Sequence, residues 1–126
     1  MNHLLAVALG GALGAGSRHL VNMAALKFLG SSFPWGTLTV NVAGCFLMGV
    51  LVEALALKFQ ASQEVRLFLA TGVLGGFTTF SAFSLDVVLL VERKESLTAA
   101  LYVMGSVGLS IGALFLALHL TRAVLV

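Results

Sequence analysis

Four long runs, residues 4–17, 35–52, 67–85 and 96–121, contain no Asp, Glu, Lys or Arg. A helix crossing a bilayer core needs about 20 mostly apolar residues. The pattern therefore predicts four spanning helices, at about 3–28, 35–58, 64–91 and 97–122, the first two completed by tolerating a charge near an end or within the span. The intervening segments 29–34, 59–63 and 92–96 are too short for an extramembrane domain. The expected fold is all-α: an integral membrane protein with one transmembrane domain over residues 1–126. The single proline, Pro34, sits just before the second helix, where its missing N–H costs nothing.

The third run breaks the rule that spanning helices use good helix formers. Its stretch GVLGGFTTFSAFS, residues 72–84, holds three glycines, two threonines and two serines. Each glycine disfavours helix by about 1 kcal/mol relative to alanine, and Thr78 and Thr79 carry hydroxyls that compete for backbone groups. A break near 75–79 is expected, the alternative being a continuous, glycine-packed helix. Interrupted backbone at membrane depth is tolerated only where protein buries it or a cavity hydrates it, and its freed carbonyls commonly hold a cation.

Composition sharpens the class. Hydrophobic residues make up 60% of the 126 positions and charged ones 10%, against about 25% charged in soluble domains, and the mean hydropathy is +1.08. Met1-Asn2-His3 lacks the basic start of a signal peptide, so the first helix is expected to remain. The lone Cys45 excludes an intrachain disulfide and is read as packing. His3, His19 and His119 lack partners at metal-ligand spacing, and no catalytic constellation is present, so an enzyme is not expected. Seven basic residues scattered at helix ends form no basic stripe, and nucleic acid is not an expected partner.

The basic residues also bear on orientation. With membrane-embedded Arg18 left out, Lys58, Arg66 and Arg122 fall on the side of the N-terminus, and Lys27, Arg93 and Lys94 on the other: three on each side. A chain without positive bias can insert both ways, unless one loop alone decides. Four short helices do not easily enclose a polar path. Gly10 with Gly14 and Gly108 with Gly112 offer small-residue spacing for helix association, and two oppositely inserted copies would reproduce the inverted pairing of many transporters.

Within the spans a few polar residues remain. Arg18 must either line an aqueous vestibule, where a fixed positive charge attracts anions, or reach the headgroups. The amide of Asn41 either faces a permeating ion or glues two helices. Glu53 and Asp86, nearer helix ends, are read as solvated or paired with a base. Phe80 and Phe83 lie three apart on one face, as do Ser81 and Ser84. Phenyl rings present positive edges to an anion, and weak multiple contacts suit fast permeation. Tyr102, Ser106 and Ser110 recur every four residues as a hydroxyl line, though each serine could back-bond to its own helix.

Together these residues resemble the bacterial fluoride channel family, the Fluc or CrcB fluoride exporters. The resemblance spans nearly the whole chain: GAGSR ending in Arg18, PWGTLTVNVAG containing Asn41, TGVLGGFTTFSAFS in the third helix, and the tyrosine-serine line of the fourth. It implies an antiparallel, dual-topology homodimer in the bacterial cytoplasmic (inner) membrane. Such a dimer conducts fluoride passively through two pores and reduces its toxicity, with one structural sodium ion at the dimer centre. It assigns Phe80 and Phe83 to ion-coordinating aromatic boxes, Asn41 to a hydrogen bond with fluoride, and Arg18 to the vestibule. Tyr102 and Ser110 would fall on the polar side of the pore, and the carbonyls of Gly75 and Thr78 would hold sodium; the helical spacing adds Ser81, Ser84 and Ser106 to the expected pore residues.

This chain departs from the family pattern at Ala82 and Leu114, where threonines are common, and at Asp86, where glutamate is common, so its polar track is thinner. Two rival readings remain. A four-helix proton-coupled drug exporter needs an embedded carboxylate in the first helix, where this chain has Arg18. A noncatalytic membrane scaffold gives the break and the aromatic pair no purpose.

Overall fold

The computed structural model describes residues 2–126, and among them the secondary structure is entirely helical. Four stretches are long and apolar enough to cross a membrane: His3–Leu29, Trp35–Leu57, Gln63–Glu92 and Ser96–Leu125. Helix α1 (His3–Leu29) starts on Asn2, whose side-chain oxygen accepts the Leu4 N–H at 2.6 Å, and stops at Gly30, whose φ of +81° is open to glycine at little cost. Helix α2 (Trp35–Leu57) follows Pro34.

The third span is composite. A regular turn, α3 (Gln63–Arg66), is capped by Ser62, whose hydroxyl accepts the Val65 N–H at 3.2 Å. It widens into a π-helical segment, Leu67–Leu74, and tightens again in α4 (Gly75–Phe77). Thr78 and Thr79 are extended, with φ/ψ of −84°/156° and −151°/121°. Helix α5 (Phe80–Glu92) then resumes, with Thr79 as its N-cap: the Thr79 hydroxyl accepts the Ala82 N–H at 3.1 Å. Helix α6 (Ser96–Leu125) completes the chain.

Packing follows from where side chains are absent. Helix α1 lies against the π-helical segment and α4, and α2 lies against α6. A Cβ on Gly76 would meet the Gly11 carbonyl oxygen at 2.7 Å, and one on Gly10 or Gly14 would strike the backbone of the third span. The Gly10/Gly14 pair thus serves contact within the chain, whereas Gly108 and Gly112 face open space on α6. At the α2–α6 crossing, a Cβ on Gly49 would sit 2.6 Å from the Leu114 carbonyl oxygen, beside fully buried Ala117. Glu53 and Arg122 close the same end of this pair, with Nη2 to Oε2 at 3.2 Å. Only 17–22% of each apolar span window is buried, so most of the apolar surface is left for lipid or another protein surface.

Candidate functional site

The extended Thr78-Thr79 pair would leave polar backbone exposed in an apolar medium, where each unsatisfied group costs several kcal/mol. Asn41 on α2 meets part of this demand. Its Oδ1 accepts the Thr79 N–H at 2.8 Å, and its Nδ2 donates to the Thr79 carbonyl at 3.1 Å. The Thr78 hydroxyl donates back to the Leu74 carbonyl at 3.1 Å, and the missing side chain of Gly44 makes room for the Thr78 methyl. From α1, half-buried Arg18 donates from Nε to the Gly76 carbonyl at 3.1 Å.

Beside this interruption lies a cavity of about 270 Å³ lined by Asn41 and Cys45 of α2, Thr78 to Phe80 and Phe83 of the third span, and Ser106, Val107, Ser110 and Ile111 of α6. The Phe80 and Phe83 ring centroids are 5.5 Å apart with an interplanar angle of 51°; Phe80 is 77% exposed and Phe83 is 8% exposed. Ser106 and Ser110 are buried; the Ser106 hydroxyl has no hydrogen-bond partner among the described residues, and the Ser110 hydroxyl has only a weak contact with the Cys45 thiol. A buried hydroxyl without a partner costs roughly 1–3 kcal/mol, so these two are suited to a ligand that accepts hydrogen bonds. The Asn41 amide carries two N–H donors, of which one is committed to Thr79. The lining contains no charged side chain.

The structure therefore brings Asn41, Thr78, Phe80, Phe83, Ser106 and Ser110 to one cavity and leaves Ser81, Ser84, Tyr102, Arg18 and Gly75 off its lining. The Ser81 hydroxyl lies 3.3 Å from that of Thr79, and the Ser84 hydroxyl donates to the Phe80 carbonyl of its own helix at 3.0 Å. Tyr102 is 1% exposed, its ring packed between Phe33 and Phe83 and its hydroxyl donating to Asp86 Oδ2 at 3.0 Å. Residues four apart on a helix are offset by about 40°, so the Tyr102–Ser106–Ser110 line winds around α6 and its two ends face different surroundings. Asp86 lines a second, larger cavity of about 390 Å³ at the α1–α2 connection, together with Asn22, Thr37, Ala82 and Arg93.

Two participants have no role in the site on the sequence reading: Thr79, read only as part of the break, and Cys45, read as packing. Thr79 organises the interruption through its backbone and caps α5; a threonine directly before a resumed apolar run is an N-cap signal. Cys45 joins the cavity because it sits one helical turn after Asn41 on the same face of α2.

Comparison with known sequences agrees with this architecture. Residues 5–118 match the family model described as CrcB-like protein, Camphor Resistance (CrcB). A protein of Chelativorans sp. named fluoride-specific ion channel FluC is 62% identical over 125 residues, covering 99% of this chain and all of that one. Proteins of the same name from Rhizobium etli and Granulibacter bethesdensis are 54% and 52% identical, each covering 98% of its own length and 98% and 99% of this chain. With a family match over most of its length and relatives this similar from end to end, the chain belongs to the CrcB-like family.

Proposed function

We propose that this protein is a fluoride-specific channel, not an enzyme, that lets fluoride leave the cytoplasm passively across the bacterial inner membrane. The observation that carries the reading is the cavity at the interruption. It offers a spare Asn41 N–H, the unpartnered Ser106 hydroxyl, the Ser110 hydroxyl held only by the weak Cys45 thiol, and the rings of Phe80 and Phe83, with no fixed charge. Fluoride is a small, strong hydrogen-bond acceptor. Neutral donors and ring edges replace its water without holding it as a full charge would. Proteins this similar carry the name fluoride-specific ion channel, which supports the same reading.

The working unit is proposed to be an antiparallel, dual-topology homodimer. Supporting this, the basic residues tie at three per side, and the tie survives ion pairing. Arg122 pairs with Glu53 on one side and Arg93 with Glu95 on the other, each at 3.2 Å. A single chain also buries too little of its spans to wall off a pore.

The interruption at Thr78-Thr79 is proposed as the functional break of the third helix, holding one structural sodium ion at the dimer centre. A hard cation takes oxygen ligands, and the backbone here fits that demand. Arg18 takes the Gly76 carbonyl and Asn41 takes that of Thr79, whereas outside the helical ladders no hydrogen bond of the described residues ends on the carbonyls of Gly75 or Thr78. Gly75 is also exposed, as a site shared by two copies requires. When bound, the ion would occupy the lone pairs that these carbonyls otherwise leave unsatisfied.

Fluoride efflux from liposomes containing the purified protein tests the reading. Rapid fluoride release without comparable chloride release is expected, and absence of fluoride-specific flux with sodium on both sides overturns it.

A further inference from the structure

The side chains that reach into the interruption take carbonyls in a regular order. Gly76 and Thr79, three residues apart, are held by Arg18 and Asn41; Gly75 and Thr78, also three apart, each precede a held carbonyl by one residue. We infer that Arg18 is a positioning residue for a cation site, acting through the Gly76 peptide to fix the direction of the neighbouring Gly75 carbonyl, as Asn41 does for Thr78. The inference rests on the sodium reading above and adds to it the device that orients the ligands.

The geometry gives three reasons. First, α4 is only three residues long and ends without a regular ladder, so its last carbonyls lack helical partners. An unanchored end of this kind rotates freely unless something holds it. Second, the approach is built for reach. Gly76 lets the α1 backbone come so close that a Cβ would lie 2.7 Å from the Gly11 carbonyl oxygen, and Arg18 stands two turns further along that helix. Its guanidinium donates by charge-assisted hydrogen bond, about twice as strong as a neutral one. Third, the Thr78 carbonyl shares a trans peptide with the Thr79 N–H, and the two point in opposite directions. With that N–H donating to Asn41 Oδ1, the Thr78 carbonyl is directed away from Asn41. Arg18 sets the other half of the pair from the α1 side.

This role differs from attraction of anions by the Arg18 charge, and the two separate experimentally. Thermal unfolding of the full-length protein in detergent is followed at increasing NaCl, with N-methyl-D-glucamine chloride holding ionic strength constant. Sodium is expected to raise the Tm of the wild type. Arg18→Leu should raise by about tenfold the sodium concentration needed for a set rise in Tm, the loss of one charged hydrogen bond, and Arg18→Lys, which keeps a cationic donor, should recover part of it. If Arg18→Leu yields no folded protein, Arg18→Gln and Arg18→Lys decide by the same concentration. A wild-type Tm that ignores sodium removes the sodium reading itself, before any variant is made. A sodium-dependent wild type with an unchanged sodium requirement in the variants overturns the inference alone, and fluoride flux reduced equally at every sodium concentration returns Arg18 to anion attraction.

Discussion

Two cavities flank the Phe83–Tyr102 ring contact, and they treat polar groups in opposite ways. In the larger one, Asp86 accepts the Tyr102 hydroxyl at 3.0 Å, and Arg93 pairs with Glu95 at 3.2 Å. In the smaller one, buried Ser106 has no partner among the described residues and buried Ser110 only the weakly bonding Cys45 thiol, although Asn41 beside them is held on both sides of its amide. Committed groups fix a structure, while buried uncommitted donors cost stability unless a ligand uses them. On the proposed reading, ion recognition belongs to the serine side and structural anchoring to the tyrosine side.

Asn41 belongs to both descriptions, and its removal should have the largest effect. Asn41→Ala loses two bonds to Thr79 and the donor facing the cavity. An expected destabilisation of about 2–4 kcal/mol accompanies fluoride flux too small to measure. Phe83→Ile separates the roles: it keeps an apolar core residue but removes the ring edge, and flux should fall about 100-fold, equivalent to about 2.7 kcal/mol of lost ion stabilisation, while dimers still assemble. Folded Asn41→Ala protein with wild-type flux, or unchanged flux in Phe83→Ile, breaks the assignment of this cavity to the ion.

The two hydroxyl types on α6 provide the direct test. Ser110→Ala removes a donor whose one protein contact is the weakly bonding Cys45 thiol, so stability should change little while flux drops about tenfold. Tyr102→Phe removes a committed hydroxyl and leaves a half-buried carboxylate without its donor. Its stability should drop by about 1–3 kcal/mol, and its flux should fall less than that of Ser110→Ala. Unfolding midpoints and efflux rates measured side by side check the pair; if Ser110→Ala proves the destabilising one, the contrast between the cavities fails.

Part of this arrangement was legible in the sequence, and the division has a physical cause. The four spans follow from one-dimensional periodicity and charge exclusion, because a bilayer acts on every residue in the same way. The poor helix formers at 72–84 include Thr78 and Thr79, the two extended residues within the third span. Sequence spacing did not reveal which hydroxyls are free. Ser84 bonds back to Phe80 and Tyr102 turns to Asp86, while Ser106 and Ser110 meet the cavity. Those outcomes depend on rotation about α6 and on which helix packs where, and both emerge only in three dimensions. Arg18 is similar: its charge announced a polar destination, but the Gly76 carbonyl as that destination required the glycine-lined approach of α1.

The smallest expected stability effects lie at the two ends of the bundle, where ion pairs differ in burial. Glu53 is 9% exposed and meets Arg122, whereas Arg93 and Glu95 have side chains 49% and 41% exposed. Screening by solvent limits an exposed pair to about 0–1 kcal/mol, so Arg93→Gln should leave thermal stability within about 0.5 kcal/mol of wild type. Its consequence is instead topological. The substitution leaves two basic residues, Lys27 and Lys94, against three on the opposite side. Cytoplasmic loops are enriched in Lys and Arg, so the C-terminal side, which keeps Lys58, Arg66 and Arg122, should become the more frequent cytoplasmic face. Reporters fused to the C-terminus and active on only one side of the membrane read this directly. A shift from a mixed to a biased distribution is expected, with fluoride resistance falling as antiparallel partners become scarce. If the wild type already gives one orientation and Arg93→Gln leaves it unmoved, a single loop governs insertion and the balanced charge has no role in assembly.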